Sequence, residues 1–126
     1  MILINGTIMT AGLVLVAWGI ACALFFRRKR WWMKAHKSAG YGGTGVLLIG
    51  VLTVIIALSL SGEGHMGTPH AFIGSAGIAL VMLTPSLGAL QIKNRRLKSL
   101  HRWSGRITGA VILVNVILGL FLTEIL

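Results

Sequence analysis

The chain has 126 residues, 56% hydrophobic and only 11% charged, with a formal net charge of +10. That balance excludes an ordinary soluble domain and fits a membrane protein. The positive charge does not mark a nucleic-acid binder, because all twelve Lys and Arg fall in two windows, Arg27–Lys37 and Lys93–Arg106.

Residues 1–26 carry no charged side chain. A helix needs about 20 apolar residues to cross the hydrocarbon core of a bilayer, so a first span is predicted near 3–26. Its charges follow the apolar stretch, which reads as an anchor and not as a signal peptide. Cys22, the lone cysteine, lies within it. A thiol–disulfide exchanger with its own cysteine pair is therefore excluded. The basic run Arg27-Arg28-Lys29-Arg30 comes next, with Trp31 and Trp32 beside it as in an interfacial aromatic belt.

A second span is predicted near 38–61. The segment GEGHMGTP, residues 62–69, has turn chemistry, and Pro69 suits the first turn of a third span near 68–92. Pro85 falls inside that span and is expected to kink it. The fourth span, near 101–124, is slightly short of uncharged residues, but Arg102 and Arg106 can snorkel to the interface. Short connections make consecutive helices antiparallel neighbours. The expected fold is all-α: a single-domain integral membrane four-helix bundle, up-down-up-down, over residues 1–126. Both basic windows then lie on one side, the cytoplasmic side by the positive-inside rule, with both termini outside. A bacterial or archaeal cytoplasmic membrane, or a thylakoid, is the expected location. Anionic lipid headgroups account for the rest of the charge. There is no Asp, and Glu63 and Glu124 lie only at segment ends, so the interior holds no carboxylate for proton or cation coupling.

Three histidines share one skeleton, a His with a Gly four residues later: HKSAG at 36–40, HAFIG at 70–74 and HRWSG at 101–105. A histidine within or at the edge of a membrane span is costly without a partner, so a functional role is the default hypothesis. The competing reading is an interfacial side chain bonded to lipid, water or a carbonyl. His36 and His101 begin helices that run the same way, diagonal across the bundle at one level. Two facing histidines suit one metal centre with two axial ligands, and haem iron fits best. Zinc would require four ligands, which this level lacks.

Residues i and i+4 share a helix face. Gly40, Gly74 and Gly105 would therefore leave clearance for a porphyrin one turn beyond each histidine. Gly43, Gly77 and Gly109 would continue those stripes, unless they serve helix packing alone. Lys37 and Arg102, directly after two of the histidines, are candidate anchors for haem propionates. His70 begins a helix that runs the other way, so it sits near the opposite face. Met9 is a candidate second ligand there, against the commoner role of packing. His65 lies in the loop and has Pro69 where the others have Gly. A faint repeat joins RRKRWWMKAHKSAG to NRRLKSLHRWSG, as in a duplicated two-helix hairpin.

With those residues in view, the chain resembles the cytochrome b561-like membrane cytochromes. KSLHRWSGRITGAVILVNVILG is similar to their helix that begins His-basic-x-x-Gly. The 34 residues from His36 to His70 and the 31 from His70 to His101 match their ligand spacing of a little over thirty. The resemblance spans about residues 30–120 and implies transmembrane electron transfer through haem b, with His36 and His101 on one haem. His70 would match a third ligand whose family partner comes from a further helix. The second haem is then absent, completed by Met9 or His65, or completed by a partner subunit. The chain would be an electron carrier or redox subunit and not a stand-alone enzyme, exchanging electrons with a quinone or a redox partner protein. Self-association and membership of a larger complex stay open. Two other readings compete: a small four-helix transporter, which would need an intramembrane carboxylate on its first helix, and a structural accessory subunit.

Overall fold

The computed structural model describes residues 2–62 and 67–122. Four helices follow in order: α1 Ile2–Phe25, α2 Trp32–Ser61, α3 Pro69–Leu90 and α4 Leu97–Leu122. All four are long and apolar enough to cross a membrane. Their outer faces expose Val14, Phe25, Leu60, Phe72 and Phe121 among many large apolar side chains. Such a surface would aggregate in water and is suited to lipid.

Local chemistry sets the boundaries. Thr68 caps α3, its hydroxyl accepting from the Ala71 N–H at 3.2 Å, with Pro69 in the first turn as expected. Gly62 closes α2 with φ of 68°, a left-handed conformation that favours glycine, and its N–H donates to the Leu58 carbonyl. Pro85 does not end α3, which runs unbroken from Pro69 to Leu90. Helix α2 starts six residues before the predicted 38, and α4 four residues before the predicted 101. Lys and Arg are good helix formers whose charged ends reach away from the apolar stem, so the basic residues extend the helices instead of bounding them. His36 and His101 consequently lie inside their helices, on the second turn.

Helix α1 packs chiefly on α2, and α3 on α4; thinner seams join α1 to α4 and α2 to α3. The pairs α1/α3 and α2/α4 are the diagonals. The α1–α2 and α3–α4 connections, with most of the basic residues, share one end of the bundle, called here the basic end. The other is the far end.

The two hairpins place many of their buried residues in one register. The buried residues of α2 are Ala39, Gly43, Leu47 and Gly50, and those of α4 are Ser104, Thr108, Ile112 and Asn115. Adding 65 to each of 39, 43, 47 and 50 gives 104, 108, 112 and 115. The same offset carries buried Gly12 and Cys22 of α1 onto buried Gly77 and Leu87 of α3. Leu47, Val81 and Ile112 form the central core, with Met9, Leu13, Val16 and Val116 against it. The two hairpins are held by different means. In the first, a β-carbon on Gly43 would lie 3.0 Å from the backbone nitrogen of Val16, so backbones meet directly. In the second, Thr84 hydrogen-bonds the hydroxyls of Ser104 at 2.5 Å and Thr108 at 2.7 Å.

Candidate bis-histidine site

His36 and His101 meet across the α2/α4 diagonal at the basic end. Their ring centroids are 6.0 Å apart and their planes 75° apart. Each ring is fixed from behind in the same way. Nδ1 of His36 lies 2.7 Å from the Gly19 carbonyl of α1, and Nδ1 of His101 lies 3.0 Å from the Thr84 carbonyl of α3. Both bonds span 17 residues, and 19 and 84 are again 65 apart. A carbonyl oxygen only accepts, so Nδ1 carries the proton in both rings. In the neutral ring this tautomer gives Nε2 the lone pair a metal ligand uses. A β-carbon at Gly88 would stand 2.9 Å from Cε1 of His101, so this glycine gives the ring its place against α3. Trp32 lies against His36, ring centroids 6.1 Å apart.

The spacing suits one metal ion between two imidazoles. Two metal–nitrogen bonds of about 2 Å each, with roughly 1 Å from each nitrogen to its ring centroid, span about 6 Å. Among the described residues no group of three or more His, Cys, Asp or Glu comes together. Gly40 faces open space, and Gly105 meets only the Thr84 methyl, at 3.8 Å. A groove of about 280 Å³ opens between α2 and α3, lined by Tyr41, Thr44, Met82, Pro85, Ser86 and Ala89, and neither histidine lines it. Lys37 and Arg102 are exposed one residue beyond each histidine.

Other candidates sit elsewhere. Gly43 packs on α1, Gly109 meets the end of Ile20, and Gly77 faces Val111 at 3.6 Å, which are helix-packing positions. Met9 belongs to the core, its sulfur against Gly50 of α2. His65 lies outside the described residues. His70 is at the far end, its Nδ1 3.0 Å from the Asn115 carbonyl and its Cε1 against Gly119. The step at Gly74 holds the Asn115 side chain, whose Nδ2 would be 3.2 Å from a β-carbon there. Gly19, Thr84 and Gly88 carry no sequence signal of their own. Only the 65-residue offset between the hairpins points to the first two as a pair.

Comparison of the chain with protein-family models, with curated proteins and with solved structures finds no match.

Proposed function

We propose that the chain is a membrane-embedded electron-transfer protein that holds haem b between His36 and His101. The observation that carries this reading is the 6.0 Å pairing of two rings, each with Nδ1 committed to a carbonyl of the neighbouring helix. Haem b would supply a one-electron couple of the iron. The protein's part is to hold both imidazoles in one tautomer, half-buried among apolar helices, and to leave clearance at Gly40 and Gly105. With both axial positions filled, the iron would have no open position for oxygen, which suits electron transfer over oxygen chemistry. Lys37 and Arg102 are placed to pair with the propionates, and their charge favours the reduced haem. The electron partners fall in two classes, a membrane quinone or a redox protein. By the positive-inside rule the basic end faces the cytoplasm.

The test is a reduced-minus-oxidised absorption spectrum of the protein purified after expression with ample haem. A low-spin haem spectrum with about one haem or more per chain is expected. A colourless protein overturns the proposal.

A further inference from the structure

We propose that the basic end of the bundle is a docking surface for an acidic, soluble one-electron carrier protein. This inference rests on the electron-transfer reading above and selects, for this end, the protein class of partner.

Charge carries it. The chain has twelve Lys and Arg, and every one is exposed. Four stand in the α1–α2 connection, residues 26–31, and three in the α3–α4 connection, residues 91–96. The other five are on the first three turns of α2 or α4. The chain has no Asp, and among the described residues there is no Glu, so nothing described there neutralises these charges. Arg27 is tied to the Ala23 carbonyl, and Arg106 lies over the Trp103 ring at 5.4 Å, contacts that leave both charges in place. Like charges so crowded oppose the compact state unless an anionic counterpart covers them.

Position narrows the counterpart. Lipid headgroups surround a bundle in the plane of the membrane and reach cations on helix flanks. The two connections instead run along opposite edges of the end face, one on each side of the α2/α4 diagonal. A partner that spans both therefore sits over the end and not beside it. A small anion would cover one connection or the other. A protein interface of ordinary size, about 800 Å² per partner, reaches across both. The end also presents Trp31 and Trp103, 46% and 59% exposed, and Trp and Arg are the residues that dominate protein interfaces.

The residues beneath this end give the partner its chemistry. His36 and His101 each stand four residues into their helix, about 6 Å below its start at 1.5 Å per residue. Trp32, one turn nearer the connection, is half-buried against His36, with ring centroids 6.1 Å apart. A carrier seated on both connections stands over the histidine pair. The exchange moves one electron between the carrier's own redox centre and this site, one side oxidised as the other is reduced, with no bond made or broken. Complementary charge speeds encounter and fixes orientation more than it tightens the complex, which suits a carrier that must leave again.

The experiment measures binding and not turnover, so its readout does not depend on haem. The chain is held in nanodiscs of neutral phosphatidylcholine, and the probe is a plant-type ferredoxin, a small acidic iron–sulfur protein. Binding is expected at low salt and should weaken about tenfold or more at roughly 0.5 M salt, where screening confines each charge to a few ångströms. Cytochrome c, a small basic protein, should not bind. Arg28→Gln with Arg30→Gln, and Arg95→Gln with Arg96→Gln, should each weaken ferredoxin binding by about threefold to tenfold. The cations that remain keep the orientation signal, and circular dichroism checks that the helices are intact. No binding in neutral discs at low salt, or binding that neither pair of changes weakens, overturns the proposal and leaves lipid headgroups as the counterpart. An effect from one pair alone overturns docking across both connections. A red protein that fails to bind leaves the proposed function standing. A colourless protein that binds overturns the proposed function, and with it the partner's role as electron carrier, while the docking surface stands.

Discussion

His36 and His101 face each other at 6.0 Å from helices that do not pack on each other. Nothing in ordinary helix packing places two imidazoles there, with each Nδ1 bonded to a third or fourth helix. An isolated interfacial histidine would turn its ring toward headgroups or water. Here both turn inward, and both carbonyl bonds orient the ring instead of satisfying Nε2.

The first prediction concerns that orientation. His36→Ala or His101→Ala should each remove the low-spin haem spectrum, because either change leaves one axial ligand. Exogenous imidazole should restore it, since the cavity left by the side chain admits the free ring. Haem content by pigment extraction and the spectrum with and without imidazole check this. Unchanged low-spin haem in both variants would show that the ligands lie elsewhere.

The seat of His101 gives the second prediction. A β-carbon at Gly88 would come within 2.9 Å of the His101 ring, whereas one at Gly45 meets nothing within 4 Å. Gly88→Val should therefore displace the ring and lower haem occupancy, at an overpacking cost of about 1–3 kcal/mol. Gly45→Ala should leave both haem and stability as they are. Haem-to-protein ratio and thermal unfolding in detergent measure the two effects. Equal haem content in the two variants would mean that Gly88 does not position the ring.

Much of the fold is legible in the chain, for a physical reason. Uncharged stretches of membrane-spanning length give the four helices, and two basic clusters give their alternation. Helix order alone puts His36 and His101 at one end on diagonal helices, but it does not dictate that their rings meet. The boundaries are less legible because Lys34, Lys37 and Lys98 extend helices instead of ending them. The roles of glycines are not legible either. Gly40 and Gly43 stand one turn apart, yet one faces open space and the other the α1 backbone. Which way a small residue faces is decided by the crossing of two helices, and four residues of sequence do not carry that. The carbonyl acceptors Gly19 and Thr84 are invisible for a similar reason, since any residue has a carbonyl.

The hydroxyl network of the second hairpin supplies the third prediction. Thr84 hydrogen-bonds Ser104 and Thr108, and Thr108 also bonds the Ser104 carbonyl at 2.7 Å. Interhelical hydrogen bonds inside membranes contribute about 0.6 kcal/mol each on average, because the separated helices find other partners. Thr84→Val should thus cost roughly 1 kcal/mol and leave the Thr108 hydroxyl bonded to the Ser104 carbonyl on α4. Paired with Ser104→Ala, the two changes should be less than additive. Unfolding of the four variants in one detergent system gives the coupling. Additive losses would mean that the Thr84 and Ser104 hydroxyls do not interact.

The last prediction concerns charge at the basic end. Lys37 and Arg102 are exposed and each follows a histidine of the pair. Among the described residues there is no carboxylate to pair with them, as both glutamates lie outside that set. If they hold propionates, Lys37→Gln and Arg102→Gln keep the haem, because its iron ligands are untouched. Each removes a positive charge that favours the reduced form, so the midpoint potential should fall. Solvent screening makes each shift smaller than the roughly 59 mV that corresponds to a tenfold change in a one-electron equilibrium. Redox titration at low and high salt measures it, with the difference between variant and wild type expected to narrow as salt rises. A potential that stays constant in both variants at low salt would place the propionates away from these two side chains, and would leave attraction to lipid headgroups as their role.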